Sequence, residues 1–373
     1  MGMIGTRKRT TWLLALIACI MALFMVSAGP VHADETVKVS SVTETTQDDS
    51  IGGNIVSFFK WLVPRRAATT DTLTGTAYAV LTGDAGEELD FIRSTETHTN
   101  EEIGSVVSVS GSTYTGVIYT GFETESYDSD NKTPWNAALT SIKTVKFVDK
   151  IKPTSTAYWF SGMTKCTSMD LANLDTSTVT TMENMFSGCS GLTTLDVSKF
   201  DTSNVTDMGA MFARCTSLES LDLSNFDTSS VTDLTGMMTN CAALKSLNVK
   251  SFDLGKVTTI NSIFSGDKAL TSETLAQSGV LDWDTSNIQD MTNAFGYCTG
   301  LTTLDLSKWN TSSMTKCSSF MDECTGLTNI NISGWDFKKC TGANLSSMIG
   351  GTTNLKSLDM SNCDMSEGGQ YLN

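Results

Sequence analysis

Apolar positions return along this chain in one fixed frame. From Asp201 to Phe226 the residues run DTSNVTDMGAMFARCTSLESLDLSNF, and the block before it, Asp175 to Phe200, runs DTSTVTTMENMFSGCSGLTTLDVSKF. Blocks start at Asp149, Asp175, Asp201, Asp227, Asp253, Asp284, Asn310, Asp336 and Asp364; the spacing is 26 residues, apart from 31 before Asp284 and 28 before Asp364. A period of this length marks a stack of coils, each burying its apolar face only against its neighbours.

Within one block, Leu218, Leu221 and Leu223 have the L-x-x-L-x-L spacing of a leucine-rich repeat. This predicts a short strand at Leu221-Asp222-Leu223, leucines inward and Asp222 outward. Val205, Met208, Met211, Phe212 and Cys215 fall at i, i+3, i+6, i+7 and i+10, which predicts a short α- or 3₁₀-helix packed on the strand layer. Asp201-Thr202-Ser203-Asn204 supplies turn chemistry between them. The fold class expected is α/β: a leucine-rich-repeat solenoid of about nine coils over 149–373, the last incomplete. The five extra residues before Asp284 should bulge outward near Thr271–Gly279, because the frame resumes unshifted.

Upstream the pattern changes. Residues 75–148 carry short β-prone runs at Thr76–Leu81, Leu89–Arg93, Val106–Val109, Val117–Phe122 and Thr144–Val148, and predict an N-terminal β cap on the open end of the stack. Residues 34–74 form a Ser/Thr-rich linker, within which Ile51 to Val63 has helical apolar spacing suited either to a membrane surface or to docking on its own protein. Residues 1–33 have the form of a signal peptide: Arg7, Lys8 and Arg9, an apolar run from Trp12 to Val26, and small residues at Val31-His32-Ala33.

Removing that signal takes the net charge from −16 to −19. Such acidity argues against nucleic acid as a partner and toward basic proteins, or simply toward solubility. Of ten cysteines, Cys19 lies in the signal; the other nine fall on inward positions and are expected to be buried free thiols. If a disulfide forms, Cys189–Cys215 and Cys298–Cys324 are the pairs the stacking suggests.

Outward strand positions form an acidic row of Asp196, Asp222, Asn248, Asp305, Asn331 and Asp359, the candidate partner-binding residues. Flanking Thr194, Ser220, Ser246, Thr303 and Ser357 could instead hydrogen-bond these carboxylates and make the row structural. Phe200, Phe226, Phe252, Trp283, Trp309 and Trp335 form an aromatic row, either core or a glycan platform. Catalytic, cofactor and metal constellations are missing: after the signal the sole histidine is His98, and there is no G-x-S-x-G, H-E-x-x-H or calcium-loop spacing.

The string D-T-S-x-V-T-x-M-x-x-M-F-x-x-C-x-x-L-x-x-L-D-L-S-x-F resembles the repeat of BspA-like leucine-rich-repeat surface proteins of bacteria, a repeat also found as a domain of unknown function in mycoplasma surface lipoproteins. The resemblance runs from Asp149 to about Asp364, and Val117–Phe122, Pro134-Trp135 and Pro153–Phe160 resemble the leader that precedes such repeats. It implies an exported, non-enzymatic protein, secreted or at the cell surface, that adheres to extracellular host or bacterial proteins. A stalk or spacer presenting another domain is the alternative, and a glycan-directed enzyme or binder the third. No sortase signal or terminal membrane helix follows the repeats, which puts anchoring in doubt and suggests a truncated chain.

Overall fold

The computed structural model describes residues 73–340 and 346–366. The signal, nearly all of the linker with its 51–63 segment, and the last seven residues fall outside them.

Chain order begins with β1 (Thr76–Thr82), β2 (Glu88–Ser94), β3 (Val106–Val109) and β4 (Tyr114–Tyr119), paired antiparallel. These match four of the runs expected there. On its other edge β2 pairs parallel with β5 (Thr144–Phe147), and β5 pairs parallel with β6 (Ser168–Asp170). One sheet, in the order β3-β4-β1-β2-β5-β6, thus passes from hairpins into the first coils without a break. Alternation on β1 buries Ala77 and Ala79 in the main core and Tyr78 and Val80 in a smaller cluster behind it. Phe91, Phe122, Trp135, Phe147, Trp159 and Phe160 fill the junction as a knot of buried rings. Phe91 stacks on Phe147 with centroids 4.3 Å apart, and the Trp135 indole N–H donates to the Trp159 carbonyl at 2.7 Å.

From there the chain is a β-solenoid with one continuous apolar core running to Met348. Its short parallel strands are β7 (Ser220–Asp222) with β8 (Ser246–Asn248), and β9 (Thr303–Asp305), β10 (Asn329–Asn331) and β11 (Ser357–Asp359). Leu221 and Leu223 point inward and Asp222 outward, as the spacing requires.

The expected helix in each coil does not form. From Met208 to Cys215 the backbone N–H groups alternate between two uses. Those of Met208, Ala210, Phe212 and Arg214 donate to the carbonyls of Asp233, Thr235, Met237 and Thr239 in the next coil, at 2.7–3.2 Å. Those of Met211, Ala213 and Cys215 donate back three residues within the coil. An α-helix would spend every one of these groups inside its own coil; a run of tight turns leaves half of them to join neighbours. The turns need a left-handed residue twice per coil, four positions apart: Ala210 and Arg214 here (φ 51° and 60°), Gly236 and Asn240 in the next coil (φ 60° at both).

At three successive corners a threonine is the lock. The Thr202 hydroxyl donates to the Asp227 carbonyl (3.0 Å) and accepts from the Asp227 N–H (2.8 Å). Thr176 does the same to Asp201 and Thr228 to Asp253. These threonines are fully buried, so the first residue of every such coil is gripped by the coil before it.

The five-residue excess is a helix, α1 (Ser272–Ser278), capped by Thr271, whose side chain accepts from the Thr274 N–H, and by Gly279 in the left-handed region at φ 99°. It lies in the predicted stretch, yet it does not only bulge. It replaces the strand of its coil, with Thr274, Leu275 and Ser278 buried, and so separates β7–β8 from β9–β11. The core beneath it stays single.

Candidate functional site

The outward row is built by the strands in three pieces. Asp222 stands opposite Asn248 in β7–β8, and Asp305, Asn331 and Asp359 stand in register across β9–β11. Asp196 lies in a coil with no regular strand, and α1 interrupts the row between Asn248 and Asp305. The six residues therefore share a register and a face but not one unbroken line.

Each carboxylate does a local job. One oxygen of Asp196, Asp222, Asp305 and Asp359 accepts from the N–H two residues on, that of Ser198, Ser224, Ser307 and Ser361, at 2.9–3.1 Å. Asn331 accepts from the Ser333 N–H in the same way, at 3.0 Å. The position thus asks for a side-chain oxygen that closes a turn, which Asp and Asn both provide. The expected partners on the preceding side, Thr194 and its equivalents, do not fill this role.

These bonds hold the acids low. For Asp196 and Asp305 the serine hydroxyl is the main cause, and for Asp222 and Asp359 the serine N–H. The Asn248 and Asn331 amides lower Asp222 and Asp305 further. All four acids are exposed, so the face carries fixed negative charge, moderated where an Asn stands between two Asp. Beside the row, Thr193, Thr194, Glu219, Ser220, Lys245 and Ser246 line a shallow hollow of about 560 Å³, with Lys245 3.3 Å from Glu219. A second hollow of about 440 Å³ lies beside α1, among Lys250, Phe252, Asp253, Ala276, Gly279 and Trp283. Sequence reading missed it; its signals were the extra five residues and Gly279.

The aromatic row is core. Phe200, Phe226, Phe252, Trp283, Trp309 and Trp335 are all buried, and Trp283 has Phe252 stacked at 6.1 Å and Trp309 at 6.3 Å. Rings covered by their neighbours offer no face to a sugar. The cysteines are inward, eight buried and Cys363 half-buried. In the repeated slot, Cys189, Cys215, Cys241, Cys298 and Cys324 each donate to a Phe carbonyl of the preceding coil at 2.9–3.1 Å. Burial pushes Cys215 and Cys324 up to about 12. Asp267 takes this slot in the α1 coil: it is fully buried, accepts the Cys241 N–H at 2.7 Å, and is pushed well above the usual carboxylate range by desolvation. Among the described residues no three His, Cys, Asp or Glu side chains converge to hold a metal. His98 sits edge-on to Tyr78 in the antiparallel unit, 4.0 Å from Glu96 and 3.8 Å from Glu102.

No curated protein matches the chain. A crystal structure of a leucine-rich repeat protein from Eubacterium ventriosum is similar over 81% of this chain and 96% of that one, at 13% identity and a TM-score of 0.20, too low a likeness to carry an argument. The family model described as "Mycoplasma protein of unknown function, DUF285" matches residues 154–276 and 245–363, the stretch in which the D-T-S corner, the buried slots and the outward Asp recur. With more than half of its length matched, the chain belongs to this repeat family.

Proposed function

We propose that this is an exported bacterial surface protein that binds other proteins through its strand face. Partners are extracellular proteins, host or bacterial, of basic character, and the activity is adhesion rather than catalysis. One observation carries the reading: the acids of the outward row are locked by their own turns, so a patterned charge is presented without movement, while the apolar slots beneath it are filled. Preorganised charge steers and selects partners more than it adds raw affinity. On the same reading the antiparallel unit β1–β4 caps the stack, and the face spans Asp196, Asp222, Asn248, Asp305, Asn331 and Asp359.

The test is a pull-down from extracellular-matrix and bacterial-surface extracts with the full chain. A parallel sample carries Asp196→Asn, Asp222→Asn, Asp305→Asn and Asp359→Asn. Binding should weaken with added salt and weaken in the variant, while folding is kept because Asn also closes the turn. A partner indifferent to both changes moves the site off this face. A stalk role is the second reading, favoured by hydrogen bonding between coils that continues through the α1 coil. It gains if the chain captures nothing.

A further inference from the structure

His98 sits where three segments of the antiparallel unit meet, and its ring is left with Nε2 buried and without a hydrogen bond. The side chain is 8% exposed. Tyr78 on β1 stands edge-on to it at 5.2 Å, and the Tyr78 hydroxyl donates to the Glu96 carbonyl at 3.2 Å. Nε2 lies 4.0 Å from a Glu96 carboxylate oxygen, and Nδ1 lies 3.8 Å from a Glu102 carboxylate oxygen. Both gaps are longer than a hydrogen bond. Each acid also holds backbone. Glu96 spans the tip of the β3–β4 turn, one oxygen accepting from the Ser110 N–H and the other from the Gly111 N–H, both at 2.8 Å. Glu102 accepts from the Thr99 N–H at 2.6 Å, and that bond holds its carboxyl below the ordinary range.

Two carboxylates thus face one imidazole from its two different nitrogens. A neutral ring has one N–H to offer and turns a lone pair toward the other acid; only the protonated ring has a donor for both. The same placement suits a proton and not a metal ion, since the three side chains do not converge on one point. Other titratable groups nearby are engaged elsewhere. The Tyr78 hydroxyl is spent on a carbonyl, Glu101 meets the Ser105 hydroxyl through its own carbonyl, and Tyr114 on β4 answers to Asp90 and Asp149. We propose that His98 is a proton-operated latch: in acid the ring takes up a proton, closes on Glu96 and Glu102 together, and ties the 96–102 segment to the β3–β4 turn. Protons reach the ring past the two acids, whose side chains are 43% and 40% exposed. A histidine changes charge between about pH 5 and 8, so the latch is shut at the acid end and open at the other. Because β3 is the outer strand of its sheet, the latch sets how firmly that free edge is held.

The experiment follows the isotope-labelled full chain by NMR from about pH 5 to about pH 8. The chain has two imidazoles, His32 and His98, and His98→Gln identifies the second. The expected result is that the Ser110 and Gly111 amide signals move with the same midpoint as the His98 ring, and stay still in the variant. Hydrogen exchange of these two amides, compared between wild type and variant at one pH, should be slower in the wild type at about pH 5 and equal at about pH 8. The expected factor at the acid end is about two- to fivefold, which is what a partly exposed ion pair supplies. Glu102→Gln, which keeps an acceptor for the Thr99 N–H, should lose part of that protection. The wild-type titration does not depend on any variant folding. A ring that titrates while both amides stay still, a ring that does not titrate over this range, or equal protection in His98→Gln at the acid end overturns the proposal.

Discussion

Each coil has two sides that face its neighbours, and they are built to different standards. On the strand side three residues pair with the next coil, and pairing lapses at the Asp196 coil and again at α1. Among the described residues the turn side is not interrupted. In the α1 coil itself, Ser262, Phe264 and Gly266 still donate to Thr292, Ala294 and Gly296 at 2.8–2.9 Å. Five extra residues were therefore absorbed wholly on the strand side. The turn side fixes the stack; the strand side is where the chain tolerates change.

That contrast can be broken most directly at Ala210. Ala210→Pro demands φ near −65° where the backbone sits at 51°, and it deletes the donor to Thr235. Stability should fall by about 3 kcal/mol or more in urea unfolding; a loss under ~1 kcal/mol would mean the turn side does not hold the coils. Next in size is Thr202→Val, which keeps shape but strands both backbone groups of Asp227. We expect a loss of about 1–3 kcal/mol.

Asp267→Asn tests a liability on the same side. A buried acid whose folded pKa lies above its unfolded value costs nothing below the ordinary carboxylate range, and it lowers stability progressively as pH rises from there toward the raised value. The wild type should thus lose stability on going from about pH 4 to neutral relative to the variant, and the variant should be the more stable at pH 7, by roughly 1–3 kcal/mol. Thermal melts of both across pH would show it, and parallel curves would mean Asp267 is ionised in the fold. Smallest is Asp222→Asn on the strand side, expected within about 0.5 kcal/mol of wild type by the same melts, since Asn248 already closes its turn from this position.

Much of the molecule was legible because a repeat reports its own alignment. Leu221 and Phe212 recur in phase, so the inward positions, the strand and the place of the insertion could be read directly. The per-coil helix was misread for a definite reason. A spacing of i, i+3, i+7 fits an α-turn ladder and a chain of three-residue turns equally well. What separates them is backbone handedness. Asn184, Gly188, Gly236, Asn240, Gly266 and Asn293 fall on the two left-handed positions, and Gly and Asn are the residues that tolerate them. Arg214, Tyr297 and Glu323 on the same positions hid the signal. In the candidate site, the outward row was legible from the strand period. Its serine partners were not, because an Asx turn reaches forward two residues rather than to the flank. The broken continuity at α1 was also hidden, since a count of extra residues does not say which side of the coil takes them.

The turn-side ladder has a mechanical meaning. Its N–H···O bonds run from coil to coil, along the direction in which the stack grows. Tension applied between the ends would load them one coil at a time, like a peeled seam, rather than all at once. Each 26-residue coil released would add about 90 Å of slack. Held at both ends, such a chain would yield in steps and limit the force passed from one end to the other.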